Sequence, residues 1–253
     1  MTTSVGAPAN LREPELLGQT VVVIGGSSGI GLETARRAKA KGADVIVTGR
    51  NADRLRRAVD ELGGAKSVAF DAHDSAALHS FFGSLKTPVD HVMVAAGGPY
   101  YAPLREMDLS EALGNVHQHM QVILQVARES IERVRPAGSL VFVSGTGARR
   151  PAIGLSVASA MTAATPALIA SLALELAPIR VNVIAPGFVD TPLSATLLGD
   201  DLEKRRQQLR DTLPIRRVVG PSDVAALAVH LMTNSALTGA TYDVDGGQQL
   251  VAR

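Results

Sequence analysis

The chain has 253 residues, 46% of them hydrophobic, with a formal net charge of +1. These values exclude a disordered chain and an electrostatically driven nucleic-acid binder, and the length suits one α/β domain with a sizeable core. Cysteine is absent, which excludes a disulfide framework and a thiolate zinc site.

Residues 1–17 contain no apolar stretch of the kind that directs export. They read as an N-terminal extension to a cytoplasmic domain spanning residues 18–253. Residues 21–24 are four consecutive apolar residues that run into Gly25, Gly29 and Gly31, spaced GxxxGxG. A helix-forming run, residues 32–41, follows at once. The pattern predicts a buried parallel strand, a tight turn and a helix. Glycine lets the turn adopt backbone angles that other residues resist and lets it approach a ligand closely. The unpaired N–H groups around Ser27, Ser28 and Ile30 at the helix start suit a pyrophosphate. An ordinary βα turn is the bland alternative that a glycine motif alone leaves open.

Strand and helix then alternate to the end. Residues 44–48 predict a second strand and 51–62 a charged amphipathic helix. A third strand is expected at 67–70, with a helix at 75–85, and a fourth strand at 91–95. Residues 109–134 predict one long helix, because Val116, Met120, Ile123, Ala127, Ile131 and Val134 fall on one stripe. Residues 139–143 predict strand five, 156–176 a helical region and 181–184 strand six. The polar stretch 192–213 reads as a substrate lid, followed by a helix at 223–232 and a last strand at 240–244. Residues 151–174 carry no charged side chain, but serines and threonines interrupt them and small alanines dominate, so they read as a buried helix at a subunit interface rather than a membrane span. Seven strands alternating with helices give the fold class: α/β, a Rossmann-type doubly wound seven-stranded parallel sheet with helices on both faces, in a single domain.

Ligands of such a sheet sit beyond the carboxyl ends of the strands. Those ends carry Gly25 to Ser28, Gly49 and Arg50, Asp71 and Ala72, Ala95 to Gly98, Ser144 to Gly147, and Pro186 to Thr191. Several are glycine or alanine, which suits close approach to a flat dinucleotide. The segment IRVNVIAPGFVDTP at residues 179–192, the glycine turn, Asp71, Asn115 and the VDGG ending at 244–247 together resemble the short-chain dehydrogenase/reductase family. The resemblance covers essentially the whole chain after Leu17. It implies that Asp71 and Ala72 lie at the adenine, Ala95, Ala96 and Gly97 along the cofactor, and Pro186, Gly187, Val189 and Thr191 at the nicotinamide. Arg50 follows Gly49 at the end of strand two, where members that use NAD carry an acid. A guanidinium pairs well with a 2′-phosphate, so NADP(H) is the expected cofactor.

The family's catalytic groups are a serine and a Tyr-x-x-x-Lys pair, and here the sequence departs from the pattern. Ungapped alignment places Ala158 at the tyrosine, Thr162 at the lysine and Gly145 at the serine, with Ser144 beside it. No lysine lies between Lys86 and Lys204, and no tyrosine between Tyr101 and Tyr242, so no shifted alignment restores the pair. A positioned general acid is worth about 10²–10⁴-fold in rate. Hydride transfer without it is slowed rather than abolished, and a cationic C=N⁺ acceptor needs no proton. The remaining candidates are Asn115, Ser144, Tyr100 and Tyr101 as site residues, and Thr162 as a hydroxyl for the cofactor ribose. His119 lies on the same helix face as Asn115. Arg149 and Arg150 are candidates for binding an anion. No metal-ligand spacing is present.

The leading expectation is an atypical NADP(H)-dependent oxidoreductase acting on a small organic carbonyl, alcohol or imine. The rival is a cofactor-binding sensor or partner subunit without turnover. A homodimer or homotetramer is expected, held by the helices of residues 109–134 and 151–174. Pro166, four residues after Thr162, removes a helical hydrogen bond, which predicts either a kink at Thr162 or a helix restarted with Thr165 as its N-cap.

Overall fold

The structure, a computed structural model, describes residues 15–251; the expectation for residues 1–14 lies outside them. Seven strands form one sheet: β1 (Thr20–Ile24), β2 (Asp44–Gly49), β3 (Lys66–Ala69), β4 (Val89–Val94), β5 (Val134–Val143), β6 (Arg180–Pro186) and β7 (Thr241–Val244). Their order is β3-β2-β1-β4-β5-β6-β7, and every pairing is parallel. The order reverses between β1 and β4, so the carboxyl ends of these two strands flank the crevice in which doubly wound sheets bind ligands. The helices are α1 (Gly29–Ala40), α2 (Ala52–Glu61), α3 (Ser75–Ser84), α4 (Leu109–Ser130), α5 (Ser156–Glu175), α6 (Pro192–Leu198), α7 (Leu202–Thr212) and α8 (Pro221–Thr233).

The central strands are apolar on both faces because both faces are covered. Val22, Ile24, Val92 and Val94 point to a core shared with α3, α4 and α5, where Phe82, Val126 and Ile169 are buried. Val21, Val23 and Met93 point to a second core with α1 and α8, where Ala35, Ala38, Val224 and Ala228 are buried. Burial of this kind stabilises by about 25 cal/mol per Å² of apolar surface.

Four expectations need correction. Leu16, assigned to an extension, is fully buried in the second core and donates its N–H to the Lys41 carbonyl at 2.9 Å, so the domain already includes it. The long helix does not run to residue 134. It ends at Ser130, whose hydroxyl is taken by the Val126 carbonyl, and Val134 is instead the first residue of β5, paired with Val89. The apolar stripe changes accordingly: Ile131 is exposed, while Ala112, Val122 and Val126 join Ile123 and Ala127 in burial. Finally, α5 is one uninterrupted helix with Pro166 inside it, so no restart occurs. Thr165 does not cap; its hydroxyl donates to the Met161 carbonyl at 2.7 Å, the back-bond of a mid-helix threonine.

Candidate active site

The glycine turn between β1 and α1 is dictated by sterics. A Cβ on Gly25 would lie 2.7 Å from the Ala96 nitrogen, and one on Gly31 would lie 2.2 Å from the Gly25 carbonyl oxygen. Gly25 and Gly29 also have φ of +86° and +54°, angles that L side chains resist. A Cβ on Gly29 would face the Thr191 side chain at 3.5 Å, so the N-terminus of α1 looks across a narrow gap at the start of α6. Ser28 makes no side-chain cap and the first turn of α1 has no acid, leaving N–H groups and a positive dipole end directed into the gap. This cradle fits a dinucleotide pyrophosphate. Ser27 and Ser28 line a second depression together with Arg54, Arg57 and Glu61.

Arg50 is exposed at the end of β2, with its guanidinium 3.8 Å from the Asp71 carboxylate. Asp71 is further held by the His73 N–H at 3.0 Å, and Ala72 behind it is buried. A Cβ on Gly49 would lie 2.9 Å from the Ser27 hydroxyl oxygen, so the space that an acid would need at this point is taken by the turn serine.

Beyond the turn lies a cavity of about 720 Å³. Ile30, Ala95, Ala96, Gly97, Pro186, Gly187, Val189 and Thr191 form one wall; Asn115, His119, Ser144, Ala158 and Thr162 form another; α6 and α7 cover it. Gly187 is required because Gln248 folds over it: its Oε1 accepts the Phe188 N–H at 2.8 Å and would lie 2.5 Å from a Cβ on Gly187. Thr191 accepts the Ser194 N–H at 3.2 Å as the N-cap of α6. The cover is pinned by Arg206 of α7, which donates to both oxygens of Asp190 at 2.8 and 2.9 Å.

The catalytic candidates separate into two groups. Asn115, Ser144 and Tyr101 reach the cavity wall. Asn115 donates to the Gly98 carbonyl at 3.0 Å, and the buried Ser144 hydroxyl has no hydrogen-bond partner. Burial raises the Tyr101 pKa above its usual value of 10.0. Tyr100 does not line the cavity: its hydroxyl accepts the Asp108 N–H at 3.1 Å and donates to the Asp108 carbonyl at 3.3 Å, tying the loop to the start of α4. Thr162 lines the cavity, but its hydroxyl is committed. It accepts the Ala148 N–H at 2.7 Å and donates to the Ala158 carbonyl at 2.8 Å, so it has no proton left for a ribose oxygen. His119 Nε2 lies 3.2 Å from the Thr165 hydroxyl oxygen, which has already given its own proton to Met161, so the imidazole donates there. Burial first, then the charge of His73, lowers its pKa below 6.5. Arg149 does not reach the cavity and pairs with Asp243 on β7, while Arg150 does reach it. Arg205, Gln208 and Gln248 also line the wall; no sequence motif marks them.

The family described as enoyl-(acyl carrier protein) reductase matches residues 24–249. The chain belongs to the short-chain dehydrogenase/reductase family. It is 32% identical to 3beta-hydroxysteroid dehydrogenase 1 of Eggerthella lenta, over 93% of this chain and 95% of that protein. Among solved structures it superposes on the MalC reductase/Diels-Alderase of Malbranchea aurantiaca with a TM-score of 0.87 and 26% identity, over 94% of this chain and 99% of that one. A small-chain dehydrogenase solved in complex with NADPH gives 0.79 and 28%, over 92% and 99%. Family membership accounts for the sheet order, the glycine turn and the crevice together.

Proposed function

We propose that this protein is an NADP(H)-dependent oxidoreductase that moves a hydride to or from a small organic carbonyl, alcohol or imine, without the tyrosine–lysine pair of its family. The observation that carries the reading is the continuity of the cavity. The Ala95 to Gly97 and Pro186 to Thr191 segments line the same largely apolar cavity as Leu193, Leu197 and Leu209 of α6 and α7, so the site read as the cofactor's runs on into space for a substrate. When bound, a nicotinamide cofactor supplies or accepts the hydride. The glycine turn would hold its pyrophosphate, Arg50 its 2′-phosphate, and Thr191 and the Pro186–Gly187 backbone its nicotinamide end. The α6–α7 cover excludes water. Tyr101 is the phenol on the wall, protonated at neutral pH like any tyrosine and so a candidate donor to a developing alkoxide. The solved NADPH complex of a relative supports the choice of cofactor.

A second reading, a cofactor-binding sensor or partner subunit without turnover, draws on Ala158 and Thr162, which leave the wall without a positioned acid or a cation for the ribose. One experiment separates the two. Dissociation constants for NADPH and NADH are measured for the wild type and Arg50→Ala, and NADPH consumption is then followed on panels of ketones and iminium ions. Equal affinity for the two cofactors in the wild type would remove the NADP assignment. Tight NADPH binding with no consumption on either panel would favour the sensor.

We also infer a homo-oligomer assembled through α4 and α5. Leu113, Leu124 and Leu174 are exposed on these helices, more apolar surface than an isolated helix pair keeps in water. A monomer in sedimentation at micromolar concentration would overturn this.

A further inference from the structure

Among the described residues, the cavity wall carries two guanidinium groups, Arg150 and Arg205, and no Asp or Glu side chain. Arg205 is the unusual one. It projects from α7 beneath the cover, half-buried, with its guanidinium 5.9 Å from the centroid of the Phe188 ring and one N–H donated to Gln208 Oε1 at 2.7 Å. Its neighbours on the same helix behave differently: Arg206 pairs with Asp190 and Glu203, and Arg210 with Glu203. Among the described residues Arg205 has no carboxylate partner. Burial, and then the like charge of Arg150, both disfavour its protonated form. A cation removed from water without a counter-charge is costly, while a planar guanidinium braced by a ring and an amide is preorganised for an oxyanion. Leu193, Leu197, Leu209 and Leu213 give this end of the cavity an apolar surface, beside the polar Ser194, Gln208 and Thr212.

We propose that the substrate is an organic acid with an apolar body, whose carboxylate is bound by Arg205 beneath the α6–α7 cover. The proposal rests on the reading above that this cavity is the substrate site. It selects within the carbonyl, alcohol and imine classes. The acceptor carries an anionic end that pairs with Arg205.

The test reads binding, not turnover. 4-Phenylbutyrate and its uncharged amide, 4-phenylbutyramide, are titrated by calorimetry into the protein with and without saturating NADPH. The expected result is tighter binding of the acid by about tenfold or more, the fold-change of one charge-assisted hydrogen-bonded pair. That preference should be lost in Arg205→Gln and largely kept in Arg205→Lys, with circular dichroism melts checking that both fold. If Arg205→Gln fails to fold, the wild-type comparison and Arg205→Lys decide. Equal affinity for acid and amide, binding of neither, or a preference that survives in Arg205→Gln overturns the proposal. Failure of NADPH to bind is seen separately in the same titrations. It counts against the cofactor reading, while the acid–amide comparison on the free protein still judges Arg205.

Discussion

The Thr162 hydroxyl accepts the backbone N–H of Ala148 at 2.7 Å, so the position where the family places its lysine holds the β5–α5 loop against α5. The Ser159 hydroxyl reinforces the same junction by donating to the Gly147 carbonyl at 3.0 Å. A Cβ on Gly147 would lie 3.2 Å from Thr162 Oγ1, which makes the packing tight as well as bonded. Where the ungapped alignment with the family puts a lysine, this chain thus has a hydroxyl that fixes a loop.

Thr162→Val should keep the shape and leave the Ala148 N–H without its partner. An unsatisfied, partly buried donor costs about 1–2 kcal/mol, which lowers the melting temperature by about 2–8 °C in a domain of this size. Thr162→Ser keeps the hydroxyl and should retain most of the stability. Equal melting of the valine variant and the wild type, measured by calorimetry, would show that the bond contributes nothing.

Cofactor choice should follow the end of β2. Arg50→Ala is expected to weaken NADPH binding by about tenfold or more, the loss of a charge-assisted pair, with little change for NADH. Adding Gly49→Asp should then favour NADH, provided that Ser27 rotates away from the new side chain, whose Cβ would otherwise lie 2.9 Å from its hydroxyl oxygen. Fluorescence titration of both cofactors reads the result. An unchanged NADPH preference in the double variant would remove Arg50 from the site.

Much of this site is legible in the sequence because its signals are local. The apolar run of β1, the glycine spacing and the segment from Pro186 to Thr191 each specify their own backbone. Three things are not local. Val134 continues the helical stripe of α4 by spacing, yet it is the first residue of β5. Periodicity cannot register that the chain has turned at Arg133, whose N–H is donated to the Ser130 carbonyl, or that a Cβ on Gly138 would lie 2.3 Å from the Asp90 carbonyl oxygen across the sheet. Tyr100 and Tyr101 are adjacent on one loop, and only the fold shows that the first is bonded to Asp108 while the second reaches the cavity. Arg205 was hidden for the same reason: its partners, Phe188 and the cavity wall, come from other elements.

His91 should make stability depend on pH. It is buried on β4, between the Ser139 hydroxyl at 2.8 Å and Gln19 Oε1 at 2.7 Å. Burial first, then the charge of Arg180, brings its pKa from 6.5 to about 4. The unfolded chain takes up this proton below pH 6.5, whereas the folded chain takes it up only near pH 4. The contribution of His91 is therefore fully present above pH 6.5, is lost as pH falls from 6.5 to 4, and levels off below, a total of about 3 kcal/mol. Urea denaturation across this range should show the slope in the wild type and a shallower one in His91→Leu. Identical slopes would rule out His91 as the source.

Pro166 offers the opposite prospect, a substitution that stabilises. It lies inside the uninterrupted α5, ten residues from the start of a helix of 20, where a proline supplies no N–H for the carbonyl four residues back, that of Thr162. An interior proline costs about 3 kcal/mol relative to alanine. Alanine also frees the unfolded chain, which offsets about 1 kcal/mol of the gain. Pro166→Ala should therefore stabilise by about 2 kcal/mol and raise the melting temperature by about 4–8 °C. The gain should persist in a Thr162→Val background, because the restored bond uses the backbone carbonyl of residue 162 and not its hydroxyl. If Pro166→Ala melts at or below the wild-type temperature, the ring contributes packing worth more than the missing bond, and proline at this point is a structural requirement of α5.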